Sequence, residues 1–139
     1  MPETTPKPII DAKAMIKGMR PGLLAGDVVF CTCDNAALVA RALPDARGLF
    51  REAEGVSLIL SVERADALGF DIGQPMRQIT LGVFSALEGV GLTAAVAGAL
   101  AVLGIPCNMV AGYHHDHAFV PADRADQAME CLKTLASGA

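Results

Sequence analysis

The sequence predicts an α+β fold in which helices cover one side of an antiparallel sheet, and three observations carry that prediction. Residues 78–121 read as an alternating strand, a Gly-rich turn, an apolar helix and a second strand, which is the front of a split βαβ unit. An amphipathic stripe follows, with Ala125, Ala128, Met129, Leu132 and Leu135 opposite Arg124, Asp126, Glu130 and Lys133. The first half supplies short β-branched runs between Gly and Pro breaks.

In the first half, Ile10, Ala14, Met15 and Met19 fall at helical spacing while Asp11, Lys13 and Lys17 turn away, and Pro21 with Gly22 ends the helix. Residues 28–33 form a β-branched strand after the Gly26-Asp27 turn. The run 48–51 leads through a hairpin-like break at Glu54 and Gly55 into a strand over 56–62. A brief helical piece over 63–68 closes on Gly69, and 71–75 has the composition of a connection.

The second half opens with Ile79, Leu81 and Val83 on one strand face and Thr80, Gly82 and Phe84 on the other. A turn occupies 85–92. Thr93 has the hydroxyl suited to cap the helix that follows, because it can accept an otherwise unpaired first-turn amide. Gly104 supplies a left-handed stop and Pro106 forbids continuation. The ten residues 94–103 carry no charge. A helix apolar on every side has to be covered on every side: one face by its own sheet, the opposite face by the first half of the chain, a second subunit, or both, so an oligomer is expected, a dimer first. Residues 105–112 read as the next strand, 116–120 as another, and Pro121 with Asp123 starts the last helix. The order from Gln78 is β, α, β, β, α, that of a ferredoxin-like sandwich.

Composition narrows the function. With 139 residues, 53% of them apolar, and a net charge of -4, the chain can bury a core for one ordinary domain or two small ones. Its Lys and Arg residues never cluster in a run, and Tyr113 is the single tyrosine, so nucleic acid is a poor partner. No stretch approaches the roughly 20 uninterrupted apolar residues of a membrane span. The N-terminus lacks the pattern of a secretory signal, so a cytoplasmic location is expected. Cys31, Cys33, Cys107 and Cys131 are then expected as reduced, mostly buried thiols. No nucleophile elbow, phosphate loop or zinc-protease motif appears, and Glu52, Glu54 and Glu63 have no base spaced for acid–base work, so no enzyme and no cofactor are expected.

Particular segments resemble a known family. These are Val90-Gly91-Leu92-Thr93-Ala94-Ala95-Val96, the run from Gly104 to Tyr113, and His115-Asp116-His117-Ala118-Phe119-Val120-Pro121. Leu23 to Cys31 and Phe50 to Gly55 match the same family's N-terminal unit. Together they are similar to the small bacterial proteins built of paired ACT domains. The resemblance implies two ferredoxin-like ACT-type units, the first abbreviated: a tail over 1–8, an N-terminal unit over 9–74 and a C-terminal unit over 75–139. It also implies a non-catalytic, regulatory role in binding an amino acid or similar small ligand.

Carried onto this chain, the family's effector position implies ligand binding by Glu88, Gly89, Gly91, Leu92 and Thr93 in the turn, and by Asn108 and Val110 on the following strand. Free amides at a helix start attract a carboxylate, and Asn108 can both donate and accept. The cluster Tyr113-His114-His115-Asp116-His117 offers a second possibility. If it is extended, His115 and His117 share one face roughly 6 to 7 Å apart and could contact a ligand or a metal. If a turn lies at 114–116, Asp116 bonds the backbone or orients an imidazole. The alternative function is thus a metal-dependent enzyme or metal sensor using His114 to His117.

Overall fold

The computed structural model describes residues 11–83 and 90–138. Along the chain it contains α1 (Ala12–Gly18), β1 (Pro21–Leu23), β2 (Val28–Cys33), α2 (Ala36–Ala42), β3 (Gly48–Glu52), β4 (Gly55–Ser61), α3 (Val62–Ala67), β5 (Met76–Leu81), α4 (Leu92–Val102), β6 (Asn108–Ala111), β7 (Asp116–Pro121) and α5 (Ala125–Gly138), with 3-10 turns before β3 and α5. The fold is α+β, as expected. The expected tail over 1–8 and the turn residues Glu88 and Gly89 lie outside the described residues.

Two compact units form, one from Met1–Leu24 with Gln78–Ala139 and the other from Ala25–Arg77. In the second, β2, α2, β3, β4 and α3 follow in order, and the strands lie β3-β4-β2. The β3–β4 hairpin pairs Glu52 with Gly55 and Arg51 with Val56, while β2 pairs along β4 from Val28–Ser61 to Cys33–Val56. Alternate residues Val29 and Cys31 of β2 and Leu58 and Leu60 of β4 point to one face, where they pack with Ala42 of α2 and Ala65 of α3. Asn35 and Ser61 start the two helices by accepting amides of Leu38 and Arg64 at 3.1 Å each. Among the described residues this unit has three full strands and no full fourth one, in line with the abbreviated first unit that was expected.

The other unit places β5 next to β7 and β7 next to β6, so that α4 links β5 to β6 across the intervening strand. On the far edge of β5, β1 pairs antiparallel as Pro21–Leu81, Gly22–Thr80 and Leu23–Ile79. The early segment that reads as a helix and a break therefore supplies a helix and an edge strand to the later βαββα order. Asp11 caps α1 through the amide of Ala14 at 2.9 Å. Ile79, Leu81, Ala118 and Val120 face Met15 and Met19 of α1 and its exit, Leu92, Val96 and Leu100 of α4, and Ala125, Ala128 and Leu132 of α5. Burial of a Leu-sized side chain contributes about 1.5–3 kcal/mol, so this layer dominates the unit's stability.

Helix α4 begins differently from the expectation. Its N-cap is Gly91, at φ 110°, and Thr93 already lies inside the first turn. A left-handed φ favours glycine over any residue with a Cβ, so backbone geometry selects the start ahead of the hydroxyl. The stop is as expected: Gly104, at φ 69°, donates to Ala101 O and Ile105 donates to Leu100 O, the paired bonds of a Schellman motif. Because Ile105 N–H is spent there and Pro106 has none, β6 starts only at Asn108. The chain covers one face of α4, burying Leu92, Val96 and Leu100, and leaves Ala94, Gly98, Ala101 and Val102 exposed.

Candidate functional site

The strands of the β5–β7–β6 sheet sort their side chains by alternation. Since Ile79, Leu81, Ala118 and Val120 face the helices, Gln78, Thr80, His117 and Phe119 occupy the opposite face. Asn108 pairs with Phe119 and Val110 with His117, which brings both to that same face, and β6 is the outer strand of this order. Of the predicted binding residues, Asn108, Val110 and His117 are thus brought together. Leu92 instead enters the core on the helix side and Thr93 is exposed on α4, so their side chains lie on the other side of the sheet.

Residues 112–115 make the turn anticipated by one of the two readings of the histidine cluster, closed by Gly112 N–H donating to His115 O at 2.8 Å. A Cβ on Gly112 would sit 3.0 Å from His115 O and 3.1 Å from His117 Nε2, so the turn is shaped around a residue with no side chain. The cluster is not one extended strand. His115 donates from Nδ1 to Val83 O at 3.2 Å. His117 turns to its neighbour strand, where Gln78 Nε2 is 3.2 Å and Thr80 Oγ1 3.0 Å from its Nδ1.

An amide nitrogen can only donate, so Nδ1 of His117 is the acceptor and its proton sits on Nε2. Gln78, buried, also donates to Thr80 Oγ1 at 3.2 Å, leaving the Thr80 hydroxyl to donate to the imidazole. Burial pushes the His117 pKa below its usual value, the charge of His115 adds to the effect, and Asp116 opposes it. Neutral His117 is therefore a fixed Nε2–H donor. Among the described residues no group of three or more His, Cys, Asp and Glu comes together to hold a metal ion. All four cysteines are free, and burial raises the thiol pKa of Cys31, Cys107 and Cys131, which keeps them protonated and unreactive.

The Ala25–Arg77 unit carries a cavity that the sequence reading did not single out. A cavity of about 550 Å³ opens where β2 ends and α2 begins, between that turn and the tip of the β3–β4 hairpin. Ala36, Val39, Ala40, Leu43 and Val56 give it an apolar lining, and Asp34, Arg51, Glu52 and Glu54 give it charge. No ion pair joins Arg51 to any of these carboxylates among the described residues. Glu52 accepts the Ser57 hydroxyl. The available signal was Asn35, a good cap residue ahead of an alanine-rich helical run.

Comparison with known proteins decides the family. Residues 8–77 and residues 75–134 each match a model described as an ACT domain, the first spanning half of the chain. The chain belongs to the ACT domain family. A crystal structure of a Vibrio cholerae protein of unknown function, described as a possible transport protein, is similar at 42% identity and a TM-score of 0.79, covering 89% of this chain and 94% of that one. A protein from Agrobacterium tumefaciens shares 16% identity over 85% of this chain and 89% of its own, with a TM-score of 0.65. The regulatory subunit of aspartate kinase from Thermus flavus shares the fold at 9% identity, a TM-score of 0.56, and coverage of 83% and 95%. No curated protein matches the chain.

Proposed function

We propose that this ACT protein is a non-catalytic regulatory module whose ligand is a zwitterionic metabolite, an amino acid with an apolar side chain. The carrying observation is the cavity at the end of β2, with an apolar lining and charges of both signs that no ion pair joins among the described residues. A carboxylate of the ligand pairs with Arg51, its ammonium with Asp34 or Glu54, and its side chain lies against Val39 and Leu43. The turn between β2 and α2, which borders this cavity, is in its own unit the counterpart of the turn of Glu88 to Thr93, where the family resemblance implies ligand binding in the other. Fold likeness to the regulatory subunit of aspartate kinase supports the same reading.

In the other ACT domain the corresponding position is the turn that includes Glu88, Gly89, Gly91, Leu92 and Thr93. We infer a second, weaker ligand position there, and Asn108 and Val110 with the Nε2–H of His117 as a polar surface on the sheet. The exposed face of α4 is covered by a second copy of the chain, giving a homodimer.

Thermal-shift measurements against each of the protein amino acids test the proposal. A ligand at 100 times its Kd stabilises the folded state by about 2.7 kcal/mol, which raises Tm by roughly 5 to 10 °C in a chain of this size. At least one amino acid is expected to do so, and Arg51→Gln to abolish the shift. If every amino acid leaves Tm unchanged at saturating concentration, the proposal fails.

A further inference from the structure

A separate cavity of about 310 Å³ lies within the unit that contains α1 and α5, and three cations, Lys17, Arg20 and Lys133, stand around it. The described lining has no carboxylate, although Asp and Glu outnumber Lys and Arg by 15 to 11 in the chain. Nor does a carboxylate approach within 4 Å of any of the three among the described residues; the ion pairs there are Arg64–Asp45 and Arg77–Asp27.

Helix-end electrostatics does not account for the grouping. Lys17 lies in the last turn of α1, where a cation complements the helix dipole. Arg20 follows that helix, and α5 has no basic residue in its last turn, so Lys133 serves no such purpose. Three like charges around one concavity, with no ion partner among the described residues, repel each other, and an anion relieves that repulsion.

The walls are held in place by the fold. Met19, on the cavity floor, is buried in the core alongside Leu132. The carbonyl of Arg20 accepts Gly82 N–H at 2.9 Å, and Pro21 pairs with Leu81 at the start of β1. Guanidinium geometry suits two oxygens of a phosphate, and the two ammonium groups act as point charges around it. A carboxylate monoanion offsets one of three positive charges, whereas a phosphomonoester dianion offsets two. The volume is at the low end for ligand cavities, which limits the organic part to a small group lying on Met19 and Ala136.

From this geometry we infer that the protein binds a small phosphomonoester dianion between α1 and α5, independently of the amino-acid reading of the other unit. Isothermal titration calorimetry with phenyl phosphate, at low ionic strength, tests it. Saturable one-to-one binding is expected, and Lys17→Gln, Arg20→Gln and Lys133→Gln should each weaken it roughly fivefold, the upper range for an exposed ion pair. Lys13→Gln, on α1 but outside the cavity lining, should leave it unchanged. These exposed substitutions spare the core, and circular dichroism of each variant confirms that it is folded. Absence of saturable binding overturns the site, as does an equal loss in Lys13→Gln, which would mean diffuse attraction. Phosphatidate vesicles identify the source: capture that phenyl phosphate competes away places a headgroup in this cavity, no capture leaves the soluble ester, and capture that phenyl phosphate leaves intact overturns the assignment. None of these measurements touches Arg51, so failure here and failure of the amino-acid reading are distinguishable.

Discussion

The imidazole Nδ1 of His117 lies 3.0 Å from the hydroxyl of Thr80, a residue 37 positions earlier, and both accept from or donate within a trio completed by the buried amide of Gln78. A proton added to Nδ1 would face the Gln78 donor, so the network and the burial favour the neutral ring together.

Acid should therefore destabilise the fold through His117. The unfolded chain takes up its proton near the ordinary histidine value of about 6.5, and the folded chain only at lower pH. More protons bound by the unfolded state in that window mean that stability rises with pH; it is present above the ordinary value and lost as pH falls through the folded one. Groups around the ring are Gln78, Thr80, His115 and Asp116. Thermal melts of wild type should lose more Tm than those of His117→Gln between neutral and mildly acidic pH. Titration of the ring by NMR at or above the ordinary value would refute this.

Gly112→Ala should be destabilising by about 1–3 kcal/mol, because its Cβ would press on the backbone oxygen of His115 and on the His117 ring. Urea unfolding measures the loss. The same variant should shift the His117 titration, whereas Gly73→Ala, with nothing within 4 Å of the added carbon, should not.

Leu132 is fully buried between α5 and the sheet, while Glu130 on the same helix is exposed. Leu132→Ala should cost about 2–5 kcal/mol and Glu130→Ala within about 0.5 kcal/mol in denaturant unfolding. Similar losses from both would contradict the packing of this helix.

Light scattering on a sizing column should give twice the chain mass for wild type. Val102, 86% exposed on α4, is the side chain a second copy would cover. Val102→Glu should yield a folded monomer; a wild-type monomer, or a variant dimer as tight as wild type, would remove α4 from the interface.

Much of this molecule was legible because its signals are local. The alternation of β2 and β4, the stripe of α5 and the Gly104 stop depend on residues a turn or a strand apart, and the observed β2 (Val28–Cys33) coincides with the expected strand. Two elements carried no such contrast. In β1, three residues led by Pro21 and Gly22 are too short for periodicity and read as a break, yet they pair with β5. In α2, four of seven residues are alanine, which gives no apolar face to detect.

What the chain order alone determined was most of the secondary structure, because hydrophobic period, caps and breakers act over a few residues, and, through the resemblance of whole segments, the family. Where the side chains meet was decided by folding. His117 finds Gln78 39 positions away, Arg51 and Asp34 line one cavity, and Lys17 and Lys133 share another, all because strand pairing and helix packing bring distant segments together. Long-range pairing depends on burial and register across the whole unit, a property that no short window of sequence contains.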